Sequence, residues 1–376
     1  MDWLLATRPW SFPASSMPVL VTLAYLQWKG VEVDWAIGLW TLANIVVFHA
    51  AGNTWSDYHD FKKGVDREDT IGGMSLTSGL FLPNEIKMLS VCLLVVAVLS
   101  GIVLMLCTGL PVLYLGLAGA LLIVLYPWMK YHALGDLDIF LTYSLLPILG
   151  TSYVATGDFR PETLWLVLPI GLITVGILHI NNTRDIEHDK RAEISTFAML
   201  VGKRCSVVIY CLEVLLPFVW VVATVLFGIF PYWSLLVLLA MGIAVGNVRK
   251  AMLFTKEGMR AVIGVDEMTA KLQLAFSMLL VVSFFWICLY EEAAVYNSAC
   301  ICDVDCDVQS MDSTICKLLV DDDCIGCHAF IVGNDVFSGV VEMRADFTTR
   351  DTSWCCYCCG VVVCLLDRRQ NLAAAF

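Results

Sequence analysis

Apolar stretches long enough to span a bilayer alternate with short polar ones through the first 290 residues. Runs of roughly 20 residues, enough for a hydrocarbon core about 30 Å thick, fall at about 11–28, 35–51, 86–108, 111–129, 136–155, 162–180, 205–229, 231–248 and 271–290. The pattern predicts an all-α, polytopic membrane protein: about nine helices, the second slightly short, bundled around a central cavity. Links as brief as Gly109-Leu110-Pro111 and Gly228-Ile229-Phe230-Pro231 predict antiparallel neighbours. Two acidic clusters interrupt the apolar rhythm, each directly after an apolar run. The first holds Asn53, Asp57, Asp60 and Asp66, and the second Asn181, Asp185 and Asp189.

Composition agrees with the pattern. The chain is 59% hydrophobic and only 15% charged, against roughly 25% in soluble domains, and its mean hydropathy is +0.77. Basic residues set an orientation. With the N-terminus inside, the inner segments hold Arg8, Lys62, Lys63, Lys130, Arg184, Lys190 and others, whereas the outer loops hold Lys29 and Arg160. Both acidic clusters then face the cytoplasm. Met1-Asp2-Trp3 lacks a basic leader, so the first helix is expected to be retained.

Read as helix, Asn53, Asp57 and Asp60 are spaced i, i+4, i+7, and Asn181, Asp185 and Asp189 are spaced i, i+4, i+8. Each set lines one face. Amide and carboxylate oxygens suit Mg²⁺, which combines one or two carboxylates with substrate phosphates. Lysines and arginines near the clusters can neutralise phosphate oxygens. One such cluster alone is ordinary loop chemistry; two with the same Asn-xxx-Asp spacing at matched topological positions point to a divided metal and diphosphate site. An ion or proton transporter would instead place isolated acids within apolar spans. The histidines His59, His132, His179 and His188 show no metal-ligand spacing and read as structural.

Four segments carry a resemblance to a known family. They are Arg8-Pro-Trp-Ser-Phe-Pro-Ala-Ser15, Asp57-Tyr-His-Asp60 through Asp66, Tyr126-Pro-Trp-Met-Lys130-Tyr131 through Asp136, and Asn181-Asn182-Thr183-Arg184-Asp185 through Asp189. From about Thr7 to Tyr290 the chain resembles the intramembrane prenyltransferases of the UbiA type, most of all the 1,4-dihydroxy-2-naphthoate polyprenyltransferases of menaquinone synthesis. The resemblance implies transfer of a polyprenyl group from its diphosphate to an aromatic acceptor, with Mg²⁺ as cofactor. Asp57, Asp60, Asp185 and Asp189 would be catalytic. Together with Asn53 and Asp66 they would hold the metal. Arg8, Asn53, Lys62, Lys63, Lys130, Tyr131, Asn181, Asn182, Arg184 and Lys190 would bind diphosphate or substrate. Other acceptors in the superfamily are 4-hydroxybenzoate, homogentisate, a haem or a glycerol phosphate lipid. Membrane lipid is the expected surrounding, nucleic acid is not an expected partner, and a bacterial cytoplasmic membrane is the expected location.

The chain departs from the family pattern in places. Ser56 stands where relatives commonly have Asn. After Asp189, the usual Ala-Gly-Lys-x-Thr reads Ala192-Glu193-Ile194-Ser195-Thr196, which removes a glycine and a lysine from that loop. Gly72-Gly73-Met74 lacks an arginine often found there.

The segment 291–376 differs from the 1–290 transmembrane domain. It holds 11 of the 16 cysteines, 14 acidic and five basic residues. Cys324-Ile-Gly-Cys327-His328 matches a haem-attachment pattern, and Cys355, Cys356, Cys358 and Cys359 offer metal or disulfide sulfurs. Such patterns arise by chance in so cysteine-rich a stretch. The tail is expected to be a poorly structured appendage or a reading-frame artefact, and no function is assigned to it.

Overall fold

The computed structural model describes residues 2–67, 70, 74–299, 329–332, 337–341, 353–357 and 361–365. Two compact units result, Met1–Ile287 and Cys288–Phe376. The first is helical. A short helix Asp2–Ala6 and a 3-10 turn Pro9–Ser11 lead into α1 (Pro13–Trp28). There follow α2 (Trp35–Lys63), α3 (Pro83–Thr108), α4 (Pro111–Tyr131), α5 (Gly135–Thr156), α6 (Leu164–Arg191), α7 (Phe197–Leu226), α8 (Tyr232–Val262) and α9 (Val265–Trp286).

Eight helices among the described residues, α2 to α9, are long and apolar enough to cross a membrane, the architecture of an integral membrane protein. The short one is α1 rather than α2. Its 16 residues span about 24 Å at 1.5 Å per residue. It is nonetheless an inner helix: Val19, Val21, Leu23, Ala24, Tyr25 and Leu26 are fully buried. By contrast α2 runs for 29 residues, well beyond the apolar stretch that predicts it.

Local chemistry sets the ends of α2. The Asp34 side chain accepts from the Ile37 N–H at 3.0 Å and so caps the N-terminus. Gly64, at φ 75°, closes the C-terminus in the left-handed conformation that glycine adopts without a steric penalty. Helix α7 starts earlier than its apolar run. Its first turn precedes Gly202, whose φ of 79° bends the chain before the helix continues.

The largest core cluster is built from α1 and α5 to α9. Tyr25, Tyr210, Phe218, Phe276 and Phe284 are its largest buried aromatics, and Tyr25 meets Phe284 edge-on with centroids 5.4 Å apart. Helix α3 turns outward instead, exposing Met88, Val95, Leu99 and Leu106, as a lipid-facing helix does.

The second unit holds four short strands, β1 (Ala329–Val332), β2 (Phe337–Val341), β3 (Ser353–Tyr357) and β4 (Val361–Leu365), in the order β2-β1-β4-β3. β1 pairs antiparallel with β2 and parallel with β4, and β3 pairs antiparallel with β4. Gly72, Gly73 and the Cys324–His328 pattern lie outside the described residues.

Candidate active site

Apart from Asp66, both acidic clusters lie on helices. Asn53, Asp57 and Asp60 occupy the last three turns of α2, so the helical spacing read from the sequence places them on one face. Asp57 and Asp60 are only 2% and 4% exposed. Buried carboxylates need partners, and each has a basic one. The Arg8 guanidinium donates to Asp57 Oδ1. Lys130 Nζ lies 2.8 Å from Asp60 Oδ2, and the Tyr131 hydroxyl donates to Asp60 Oδ1 at 2.8 Å. Ser56 donates to the same carboxylate at 3.1 Å, so the residue that departs from the family pattern supports the motif from within. The Asn53 amide nitrogen donates to the Thr7 carbonyl and to Ser11 Oγ, both at 2.9 Å, which fixes the orientation of the amide.

Asp66 follows in the turn after α2, buried, with no hydrogen-bond partner at Oδ2. Burial raises its pKa above the ordinary carboxylate value, and the Asp60 charge adds to the rise. Asp185 of the second cluster pushes in the same direction, so the two clusters share one field. Burial opposes the charge of Arg8, but Asp57, Asp66 and Asp60 together outweigh it and raise its pKa.

The second cluster is organised by Arg184, whose side chain is 4% exposed. Its Nε and one terminal nitrogen grip the two oxygens of Asp185, each at 2.8 Å, a bidentate fork. The remaining donors reach Asn181 Oδ1 at 2.6 Å and Asp266 Oδ2 at 2.8 Å. Asp266, in the first turn of α9, is a site residue that the sequence motifs do not reveal. Asp189 is 3% exposed, with no hydrogen-bond partner at Oδ2. Asn182 is buried as well, whereas Lys62, Lys63 and Lys190 are exposed at the helix ends and stand apart from the paired groups.

The loop after α6 holds its shape without the family's glycine and lysine. Glu193 adopts φ 54°, a left-handed backbone that costs a non-glycine residue about 1–2 kcal/mol. Ile194 N–H returns to the Asp189 carbonyl at 3.2 Å, and Ser195 N–H donates to the Tyr131 carbonyl at 3.0 Å. Arg8, Ala133 and Glu193 are the non-glycine residues with positive φ among those described, and all three flank this site, where such strain tends to collect. Glu193→Gly is therefore expected to leave stability unchanged or raise it by up to about 1 kcal/mol. A melting temperature clearly below wild type in lipid nanodiscs would show that the Glu193 side chain has a role of its own.

Between the clusters lies a cavity of about 250 Å³ lined by Arg8, Asn53, Asn181, Asp266, Tyr126 and Asp138, among others. A second, mostly apolar cavity of about 150 Å³ runs between α2, α3, α4 and α5. His49, Ile123, Thr142 and Tyr143 line both. Ile102 and Leu117, also on the apolar groove, are 38% and 55% exposed, so the groove reaches the lipid-facing surface. His49 is held by Ser15 at 2.8 Å and Ser11 at 3.2 Å. Its place four residues before Asn53 is a signal in the sequence that it shares the motif's face.

A charged chamber joined to an apolar groove is the arrangement the motifs imply, and comparison with known proteins decides the family. Residues 16–262 match the UbiA prenyltransferase family. The chain belongs to that family. It is 33% identical over 222 residues to UbiA prenyltransferase domain-containing protein 1 of Xenopus tropicalis, covering 57% of this chain and 64% of that protein. It is 34% identical over 225 residues to the Drosophila melanogaster homolog, covering 57% and 62%. The chain thus spans just under two thirds of the length of these relatives. A UbiA homolog from Aeropyrum pernix K1 shares the fold, with a TM-score of 0.52, 15% identity, and coverage of 74% of this chain and 97% of that one. The relatives named are animal proteins, so the expected bacterial location finds no support in them, and nothing in their names singles out the naphthoate branch.

Proposed function

We propose that this UbiA-family protein transfers a polyprenyl group from polyprenyl diphosphate to an aromatic acceptor. The observation that carries the proposal is the pairing of a polar chamber, lined by Arg8, by Asn53 and Ser56 of the first motif and by Asn181 of the second, with a groove that is apolar and open to lipid. A substrate with a diphosphate head and an isoprenoid tail matches both halves.

The donor set fits Mg²⁺. Asn53, Asp57, Asp60, Asp66, Asp185 and Asp189 offer only oxygen ligands, and Asp66 and Asp189 each keep a buried oxygen without a partner. When bound, Mg²⁺ would supply Lewis-acid stabilisation of the departing diphosphate. The protein's own groups do the rest. Arg8 and Lys130, paired with Asp57 and Asp60, would supply the positive charge that neutralises phosphate oxygens. Tyr131 steadies Asp60, and Arg184 fixes Asn181 and Asp185. The exposed Lys62, Lys63 and Lys190 attract an anionic head group to this end of the bundle. Apolar walls exclude water that would otherwise quench an allylic cation.

Within the class, 1,4-dihydroxy-2-naphthoate is the favoured acceptor, on the likeness of the Arg8–Ser15 and Tyr126–Asp136 segments. The attacked ring carbon would lose its carboxylate as carbon dioxide. The basic residues favour motif-bearing ends that face the cytoplasm. Membranes containing the protein, supplied with labelled polyprenyl diphosphate, Mg²⁺ and a panel of acceptors, provide the test. Prenylated naphthoquinol with release of carbon dioxide is the expected result. Product from 4-hydroxybenzoate, homogentisate, haem or a glycerol phosphate lipid alone would replace the acceptor. No product with any acceptor would overturn the proposal.

A further inference from the structure

Away from the Asp-rich face, three helices converge on a second cluster that the prenyl-transfer scheme does not use. Asp136 begins α5, His179 lies midway along α6 and Glu213 on α7. One ligand atom from each falls within 4.8 Å of the others. His179 Nδ1 is 2.5 Å from Asp136 Oδ2 and 3.7 Å from Glu213 Oε1.

The other ring nitrogen determines how Nδ1 is used. His179 Nε2 lies 3.0 Å from the Ser206 hydroxyl and 3.1 Å from the Ser206 carbonyl oxygen. Thr183 spends its hydrogen on the His179 carbonyl, so the Ser206 hydroxyl donates to Thr183 and Nε2 carries the hydrogen that faces Ser206. The Nδ1 lone pair is thereby turned toward two carboxylates. At 2.5 Å, Nδ1 and Asp136 Oδ2 share a proton in this state, and a metal that replaced the proton would move the two atoms apart to bind both. A single proton on His179 leaves the trio with a net negative charge, in a site where His179 is wholly buried and Glu213 is 7% exposed. Glu213 Oε2 and Asp136 Oδ1 have no hydrogen-bond partner. A divalent cation brings the group to neutrality and gives the carboxylates a partner.

We propose that Asp136, His179 and Glu213 form a site for a first-row divalent metal of the Zn²⁺ type, separate from the Mg²⁺ of the diphosphate chamber. One imidazole with two carboxylates suits Zn²⁺, Mn²⁺ or Fe²⁺ better than Mg²⁺, which favours all-oxygen shells. The Nε2–H bond to a backbone carbonyl is the support that metal-bound histidines typically have. The metal would pin the start of α5 to α6 and α7, and with it the nearby Lys130 and Tyr131.

Metal analysis of the protein purified in lipid without chelator, after loading with Zn²⁺ and washing, tests this. About one equivalent of Zn²⁺ per chain is expected beyond any held by the cysteines of the 291–376 tail, which are alkylated before loading. It should fall at least tenfold in His179→Ala and in the near-isosteric Glu213→Gln, and stay in Asp57→Asn. Retention in both His179→Ala and Glu213→Gln, or loss in Asp57→Asn, would overturn the site. X-ray absorption at the zinc edge of the wild-type protein provides a check that needs no variant. A shell of oxygens with one imidazole supports the assignment, whereas an all-oxygen shell, or no bound metal, overturns it.

Discussion

Asp57→Asn and Asp185→Asn are expected to lower prenyl transfer about a thousandfold or more, while both variants still insert and run as monodisperse protein. Each change removes a charge that a bridging cation needs but keeps the shape and a hydrogen-bonding oxygen. Asn is the informative replacement, because Ala would also strand Arg8 beside an empty position. An Ala variant of Asp57 should therefore lose both activity and stability, and an Asn variant mainly activity. The measurement is turnover per milligram of inserted protein at saturating Mg²⁺. Wild-type turnover in either Asn variant would remove that aspartate from the metal set.

Loss of Arg184 should weaken the fold itself. Four hydrogen bonds run from this one guanidinium to Asn181, Asp185 and Asp266, and they tie α6 to α9. Arg184→Ala leaves two carboxylates, each 21% exposed, without their shared cation. Breaking a buried network of this kind costs about 3–5 kcal/mol. Lysine should not rescue it, since a single ammonium cannot serve three acceptors in fixed directions. Thermal melting in nanodiscs reads the loss. Combining Arg184→Ala with Asp266→Asn should cost less than the two changes added, the signature of a direct interaction. A melting temperature within error of wild type for Arg184→Ala would show that the network is dispensable.

The bundle was legible from apolar runs because lipid-spanning helices must be apolar over a set length. Their ends were harder to read. The run that marks α2 stops near residue 51, yet the helix continues to Lys63, since Arg8, Lys130 and Tyr131 compensate the carboxylates of its last turns. Helix α7 likewise begins at Phe197, although Lys203 and Arg204 interrupt the apolar window. The spacing of the two motifs was readable directly, because residues three and four apart share a helix face.

Partnerships across the chain were not readable. Asp266 lies 82 positions from Arg184, and only the packing of α9 on α6 joins them. Asp136, His179 and Glu213 are separated by whole helices, so no ligand spacing announces them. The loop after α6 looked impaired from its residues alone. Its backbone keeps the turn because Ser195 is tied to Tyr131, a contact between segments far apart in sequence.

The groove bounded by Ile102 and Leu117 also bears on kinetics. A pocket that fills from the bilayer responds to how many donor molecules lie in each leaflet, not to their amount per volume of buffer. Adding inert lipid at fixed protein and fixed donor should slow the reaction by surface dilution, even though no bulk concentration has changed.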